Sequence, residues 1–310
     1  MLVTTTSEAT TPEVMARRRP PTVHGMAVID KPAGVTSHDV VNQLRRHFGE
    51  KRIGHAGTLD PDATGVLVVA VGKATRLMRF LAGCDKTYVG EIVLGSATST
   101  LDSSGAVLAT FDMRAVTLEQ ARAVAAQHLT GEIMQVPPMV SALKVDGRRL
   151  HELAREGIEI ERAPRPSIVS RFELDATSVP RVFRATVDCS SGTYIRSLAD
   201  DLGRLLGGGA HLRNLRRTRV GQFTLDQAQS PDTATLLPVE IAVAHLERMV
   251  VDQATADLIG HGRVLPSWAG EGPWAVFDDN NELLAVYERF HSSEAKPVVV
   301  LVGADTGHSG

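Results

Sequence analysis

Apolar positions along this chain fall into short runs of two periods, about two and about 3.6, and their order predicts an α+β protein. Residues 24–30 read as a short strand, followed by the turn Lys31-Pro32-Ala33-Gly34. Ser37 is placed to cap a helix through about Phe48, with Val40, Val41, Leu44 and Phe48 on one face. The unbroken apolar run 66–71 predicts a buried strand. A helix is expected over 73–81 and an alternating strand over 87–94. Thr117 and Gln120 form a capping box for a helix through Leu129. Residues 135–166 break the pattern with Val-Pro-Pro, a basic stretch and a closing Ala-Pro-Arg-Pro. They predict a loop–helix–loop excursion from the core. A strand is expected over 181–189, a helix over 194–206 closed by Gly207-Gly208-Gly209, and an edge strand over 219–223.

After about Leu246 the composition shifts. Short apolar runs such as 298–302, together with Trp268 and Trp274, predict a small all-β appendage. The expected division is a tail at 1–21, a main domain at 22–245, an appended domain at 246–303 and a frayed end at 304–310. With 310 residues the chain has room for two such cores.

No apolar run reaches the roughly 18 residues of a membrane span. Residues 1–21 lack the apolar core of a secretory signal and read as a disordered tail. Cys84 and Cys189 have no partner at metal-ligand spacing, so two reduced thiols in a cytoplasmic protein are expected, without a metal site. The net charge of −3 argues against a polyanionic partner until its distribution is read. Residues 241–310 hold four basic and ten acidic residues, against 29 and 26 in the first 240. Basic clusters stand at Arg45, Arg46, Lys51, Arg52 and at Arg213, Arg216, Arg217, Arg219. Either cluster suits phosphate contacts, but taken alone each is more often a solvated face.

Candidate chemistry centres on residues 54–67, Gly-His-Ala-Gly-Thr-Leu-Asp-Pro-Asp-Ala-Thr-Gly-Val-Leu. The carboxylate of Asp60 sits among three glycines that permit unusual backbone shapes and close approach of a ligand. Pro61 biases Asp60 away from helical geometry. Taken alone, the loop is as well described as an Asp-Pro turn. Its twelve-residue pattern, however, resembles the G-H-x-G-x-L-D-P-x-A-T-G motif of the TruB-type tRNA pseudouridine synthases, with every defined position present. Three further stretches resemble motifs of that family: Asp30-Lys31-Pro32-Ala33-Gly34, Lys86-Thr87-Tyr88, and Cys189-Ser190-Ser191-Gly192-Thr193-Tyr194-Ile195-Arg196.

The resemblance implies a catalytic domain with a mixed, largely antiparallel sheet flanked by helices, and a small C-terminal PUA-like domain. It implies isomerisation of uridine 55 in the tRNA T-arm on a flipped-out base, with tRNA as partner and neither cofactor nor metal. Asp60 is then the nucleophile, Arg196 the cation that keeps it ionised, and Tyr88 a ring against the uracil and a candidate for C5 proton removal. His55 would fill the stack vacated in the RNA. Tyr194 falls in a matched motif, Leu215 lines the uracil pocket, and Lys31 contacts RNA or supports the loop. The 135–166 excursion would grip the T-loop. Ser99 departs from the family, which often has an acidic residue there, while Asp102 is retained. The short C-terminal domain and the absence of a Lys/Arg-rich tail favour a stand-alone enzyme over a guide-RNA-dependent one of the same fold, and a monomer is expected. A tRNA-folding chaperone is the remaining alternative. Ser141 to Lys144 matches the S-x-x-K of penicillin-binding enzymes, but no K-T-G accompanies it.

Overall fold

The computed structural model describes residues 22–302 apart from 142 and 146. The two expected tails lie outside the described residues.

The chain opens with strand β1 (Gly25–Lys31) and helix α1 (Ser37–Phe48). The N-cap of α1 is Thr36, not Ser37. Thr36 Oγ1 accepts the Asp39 amide at 3.0 Å and Asp39 Oδ2 accepts the Thr36 amide at 2.9 Å, a reciprocal pair that satisfies two open helix donors. Ser37 is thereby freed for a longer reach. Its Oγ donates to Leu59 O at 3.1 Å and accepts the Leu59 amide at 2.9 Å, tying the start of α1 to the residue before Asp60.

Strands β2 (Ile53–His55) and β3 (Thr64–Val71) follow. Val66 through Val71 are all fully buried, as an apolar run without alternation requires. Val66, Val68 and Ala70 face one core cluster, Leu67, Val69 and Val71 another. The helix expected at 73–81 is a 3₁₀ turn, Gly72–Leu77, that passes into the short helix α2 (Met78–Ala82). Next come β4 (Lys86–Leu94), the hairpin β5 (Ser96–Thr98) and β6 (Val107–Thr110), then α3 (Leu118–His128) with the Thr117–Gln120 box formed. After β7 (Gly131–Gln135), the excursion carries a small hairpin, β8 (Lys144–Val145) and β9 (Arg148–Arg149), before its helix α4 (Leu150–Arg155). The chain then re-enters the sheet as β10 (Arg165–Ala176) and β11 (Val182–Cys189). Helix α5 (Ile195–Leu205) leads to β12 (Ala210–Val220) and β13 (Phe223–Thr224).

Among the described residues, nine strands form one sheet in the order β1-β3-β12-β4-β11-β10-β7, with β2 on β3 and β13 on β12. The pairs are antiparallel except β12 with β3. This corrects the expected edge strand at 219–223. The strand begins at Ala210 and lies in the interior of the sheet. Its regular alternation is broken by register shifts between Arg213 and Arg216 and between Arg217 and Arg219, and by Asn214 at φ 53°. Basic residues and bulges together hide a central strand.

The C-terminal part is a five-stranded sheet in the order β14-β16-β17-β18-β15, with β14 (Glu247–Val250), β15 (Leu265–Pro266), β16 (Trp274–Phe277), β17 (Leu283–His291) and β18 (Glu294–Val300). It is not all-β: α6 (Gln253–Gly260) is capped by Asp252, whose Oδ1 accepts the Thr255 amide at 2.9 Å. One buried cluster runs through both parts, joining Val66, Val68, Leu77 and Phe223 to Phe277, Val286 and Val299. Part of the C-terminal acidity serves this junction. Arg79 pairs Glu288 at 3.2 Å, and Lys73 stands 4.0 Å from Glu282.

Candidate active site

The loop between β2 and β3 is fixed from below before its carboxylate is used. Gly57 and Gly65 both adopt φ 101°, a conformation that side chains oppose. A Cβ at Gly65 would stand 2.1 Å from Arg217 O, so only glycine admits the β3–β12 approach. Lys31, at the end of β1, is fully buried. Its Nζ donates to the carbonyls of Pro32 at 2.9 Å, Val35 at 2.6 Å and Pro61 at 2.9 Å. All three ammonium donors are spent on backbone, so of the two roles expected for Lys31 the geometry fits loop support and leaves no donor for RNA. Burial lowers its pKa to about 8.

Asp60 emerges at the tip with 42% of its side chain exposed. Arg196, in the first turn of α5, is 6% exposed and grips both oxygens, Nε to Oδ2 at 3.0 Å and Nη2 to Oδ1 at 3.3 Å. Its remaining donors reach Thr100 O at 2.9 Å and Val140 O at 2.8 Å, and Asp102 Oδ2 lies 3.6 Å from Nη1. One guanidinium thus joins the Asp60 loop, the loop after β5 and the excursion after β7. Burial pushes the Asp60 carboxyl above its usual range. Arg196 opposes that, Asp102 and Asp62 add to it, and Lys31 works with Arg196.

Asp60 and Arg196 lie on the wall of a cleft of about 280 Å³ that is also lined by Lys86, Tyr88, Tyr194, Leu215 and Arg217. This is at the small end of ligand pockets, a size suited to one base and not to an extended ligand. Tyr88 is buried, and burial raises its phenol while the Arg217 guanidinium beside it opposes the rise. A second cavity of about 30 Å³, room for one water, lies between Asp60, Asp62, Asp102 and Leu215.

Five expected residues therefore share the cleft: Asp60, Tyr88, Tyr194, Arg196 and Leu215. Two do not line it. Lys31 lies beneath the loop, and His55, at the end of β2, is half-buried with its imidazole pushed down by burial. Ser37, Lys86 and Arg217 had no expected role there. The basic stretch of β12 also differs from the expectation of free phosphate-binding charge. Arg213 pairs Glu91 at 2.6 Å and Arg216 pairs Asp30 at 2.7 Å. Arg217 is buried, and Arg219 Nε donates to Thr87 Oγ1 at 2.9 Å. In-sheet carboxylates, carbonyls and hydroxyls have absorbed these charges.

The model of the TruB family pseudouridylate synthase N-terminal domain matches residues 45–195, and that of the tRNA pseudouridylate synthase B C-terminal domain matches 196–250. The tRNA pseudouridine synthase B of Mycobacterium tuberculosis (strain ATCC 25618 / H37Rv) is 44% identical over 295 residues, spanning 92% of this chain and 98% of that protein. Its namesake in Rhodococcus jostii (strain RHA1) is 46% identical over 277 residues, spanning 85% and 90%. Among solved structures, a Cbf5-Nop10-Gar1 complex aligns with a TM-score of 0.67 at 28% identity, covering 87% of this chain and 79% of that one. An H/ACA RNP bound to a substrate RNA containing 2'-deoxyuridine shares the fold, with a TM-score of 0.68 at 24% identity over 91% and 86%. Identity of 44% over nearly the full length exceeds what a shared fold requires, and the chain belongs to the TruB family of pseudouridylate synthases.

Proposed function

We propose that this protein converts uridine 55 in the T-arm of tRNA to pseudouridine, with Asp60 as nucleophile. The observation that carries the reading is the Asp60–Arg196 pair, a half-exposed carboxylate held through both oxygens by a buried guanidinium in a base-sized cleft. Family membership supplies the reaction class, and the names of the bacterial relatives supply tRNA as substrate.

The reaction breaks the N1–C1′ bond, turns the uracil, joins C5 to C1′ and removes the C5 proton. Asp60 must act as a carboxylate although burial favours its acid. Arg196 stays charged at any working pH and offsets that cost. The uridine must leave its stack to reach the cleft. There Leu215 excludes water on one wall, which strengthens the Asp60–Arg196 pair, and the Tyr88 and Tyr194 rings offer faces for the base. His55 fills the gap left in the RNA, and Lys31 keeps the loop in place. Phosphates are met by the exposed charges at the end of α1. The tRNA T-arm is the partner, and the enzyme works as a monomer in the cytoplasm without cofactor.

The experiment is pseudouridine mapping on an unmodified tRNA transcript with wild type and Asp60→Asn. Product at position 55 with wild type alone supports the reading. No product on an intact, bound T-arm overturns it in favour of guide-dependent or chaperone action.

A further inference from the structure

Arg217 is 1% exposed, yet it donates to three backbone carbonyls and pairs no carboxylate, with the Tyr88 hydroxyl as its side-chain partner. Nε donates to Val66 O at 2.7 Å, Nη1 to Thr58 O at 3.3 Å and Nη2 to Gly57 O at 3.1 Å. Gly57 and Thr58 precede Asp60, and Val66 follows it. On the backbone, residue 217 pairs with Gly65 of β3 on one side and with Tyr88 of β4 on the other. One residue thus meets the Asp60 loop where it leaves the sheet, where it rejoins it, and at the neighbouring cleft ring.

Burying a guanidinium without a carboxylate is costly, and an apolar side chain would fill the same space without that cost. What an apolar side chain cannot supply is a forked donor spanning both ends of the loop and a fixed positive charge on the cleft wall. We infer that Arg217 is a positioning residue of the active site, clamping the Asp60 loop at both ends and fixing the Tyr88 hydroxyl beside a buried positive charge. The inference rests on the reaction proposed at Asp60. When the N1–C1′ bond breaks, its electron pair passes to the uracil ring. When C5 bonds C1′, the C5 proton leaves to an acceptor and its electron pair stays with the ring. A cation beside Tyr88 favours its tyrosinate, which accepts that proton once the phenol's own proton has left to solvent.

The charged and titratable groups that face Tyr88 are Arg217 from β12, Cys189 from β11 and Asp60 from the loop, with Lys86 and Arg196 on the same cleft. Burial pushes the phenol up, and Arg217 is the group that most opposes it. The chain has three tyrosines, Tyr88, Tyr194 and Tyr287, so tyrosinate absorbance resolves Tyr88 by subtraction of Tyr88→Phe.

The experiment compares wild type, Arg217→Met and Arg217→Lys in full-length protein. It measures tyrosinate titration, single-turnover rate on tRNA, RNA affinity and melting temperature. In Arg217→Met the Tyr88 titration moves to higher pH. The single-turnover rate falls on the order of 100-fold, as a loop displaced by about 1 Å would give, and RNA affinity changes by less than about threefold. Arg217→Lys keeps the charge but not the fork, so Tyr88 titrates as in wild type while the rate recovers only in part. Should Arg217→Met not fold, that dissociation in Arg217→Lys carries the test. A folded Arg217→Met with wild-type titration and rate overturns the inference, as does a rate loss that vanishes well below the melting temperature. A wild type that makes no pseudouridine overturns the proposed function instead, and the Tyr88 titration still decides whether the clamp exists.

Discussion

Arg196 holds Asp60 by both carboxylate oxygens, at 3.0 Å and 3.3 Å, while two backbone carbonyls hold Arg196. The guanidinium is therefore held in place without a ligand, and in the proposed reaction its effect falls on Asp60. Arg196→Met is expected to lower the single-turnover rate roughly 100- to 1,000-fold and to change RNA affinity by less than about threefold. The pH dependence gives the sign. Arg196 opposes the rise of the Asp60 carboxyl, so removing it moves that carboxyl further up. A rate that needs the carboxylate then fails at a higher pH, and the acid limb of the profile shifts upward. An unmoved limb, or equal losses of rate and affinity, would refute this division.

Gly65 and Gly34 both sit at positive φ, 101° and 80°, but only one is crowded. A Cβ on Gly65 meets Arg217 O at 2.1 Å, and backbone in the middle of a sheet cannot yield. A Cβ on Gly34 meets nothing within 4 Å. Gly65→Ala is expected to cost more than about 3 kcal/mol, and Gly34→Ala about 1–2 kcal/mol from backbone strain alone. Urea unfolding of the two variants compares the costs. Equal midpoints would mean that β3 and β12 do not lie as described.

Lys31 titrates near pH 8 in the folded chain against 10.5 when unperturbed, because burial disfavours its charge. Between those values the unfolded chain holds the extra proton, so folding stability contributed by this site rises with pH across that window. Lys31→Met removes the dependence. The stability difference between wild type and variant is expected to move in favour of wild type as pH rises through the window, by up to about 3 kcal/mol. Urea unfolding at about pH 7 and about pH 9.5 measures it, and a difference that ignores pH would show that Lys31 is not desolvated.

What the chain discloses about itself depends on whether a property is periodic. Strand β3 is legible because both faces are buried and the run is wholly apolar. Helix α3 is legible because Thr117 and Gln120 stand three apart at its start. Strand β12 is not, because its central position is stabilised by groups far away in sequence. Arg217 meets carbonyls 151 to 160 positions earlier, and nothing in Arg216-Arg217-Thr218-Arg219 says which arginine turns inward. The same limit divides the site. Motifs pointed to Asp60, Tyr88, Tyr194, Arg196 and Leu215, which the fold gathers in one cleft. Arg217 joins it only through the register of β12, and Ser37 braces the Asp60 loop from α1 without lining the cleft.

The two basic clusters also part company in three dimensions. Among the described residues, Arg46, Lys51 and Arg52 are exposed and take no carboxylate. Their neighbour Glu50 is buried and accepts the Arg52 and Thr22 amides at 2.7 Å and 3.3 Å. Arg213 and Arg216 already have Glu91 and Asp30. A charge that keeps its internal partner releases few counterions when RNA binds, whereas a free one releases nearly a full ion per phosphate. Replacing Arg46, Lys51 and Arg52 together by Gln is therefore expected to weaken tRNA binding. It should also flatten the slope of log K against log salt by about 2 to 3. Arg213→Gln should change that slope by much less than about 1. Salt titrations of filter binding distinguish the two clusters. A steep loss at Arg213 with none at the α1 end would return the RNA backbone to β12.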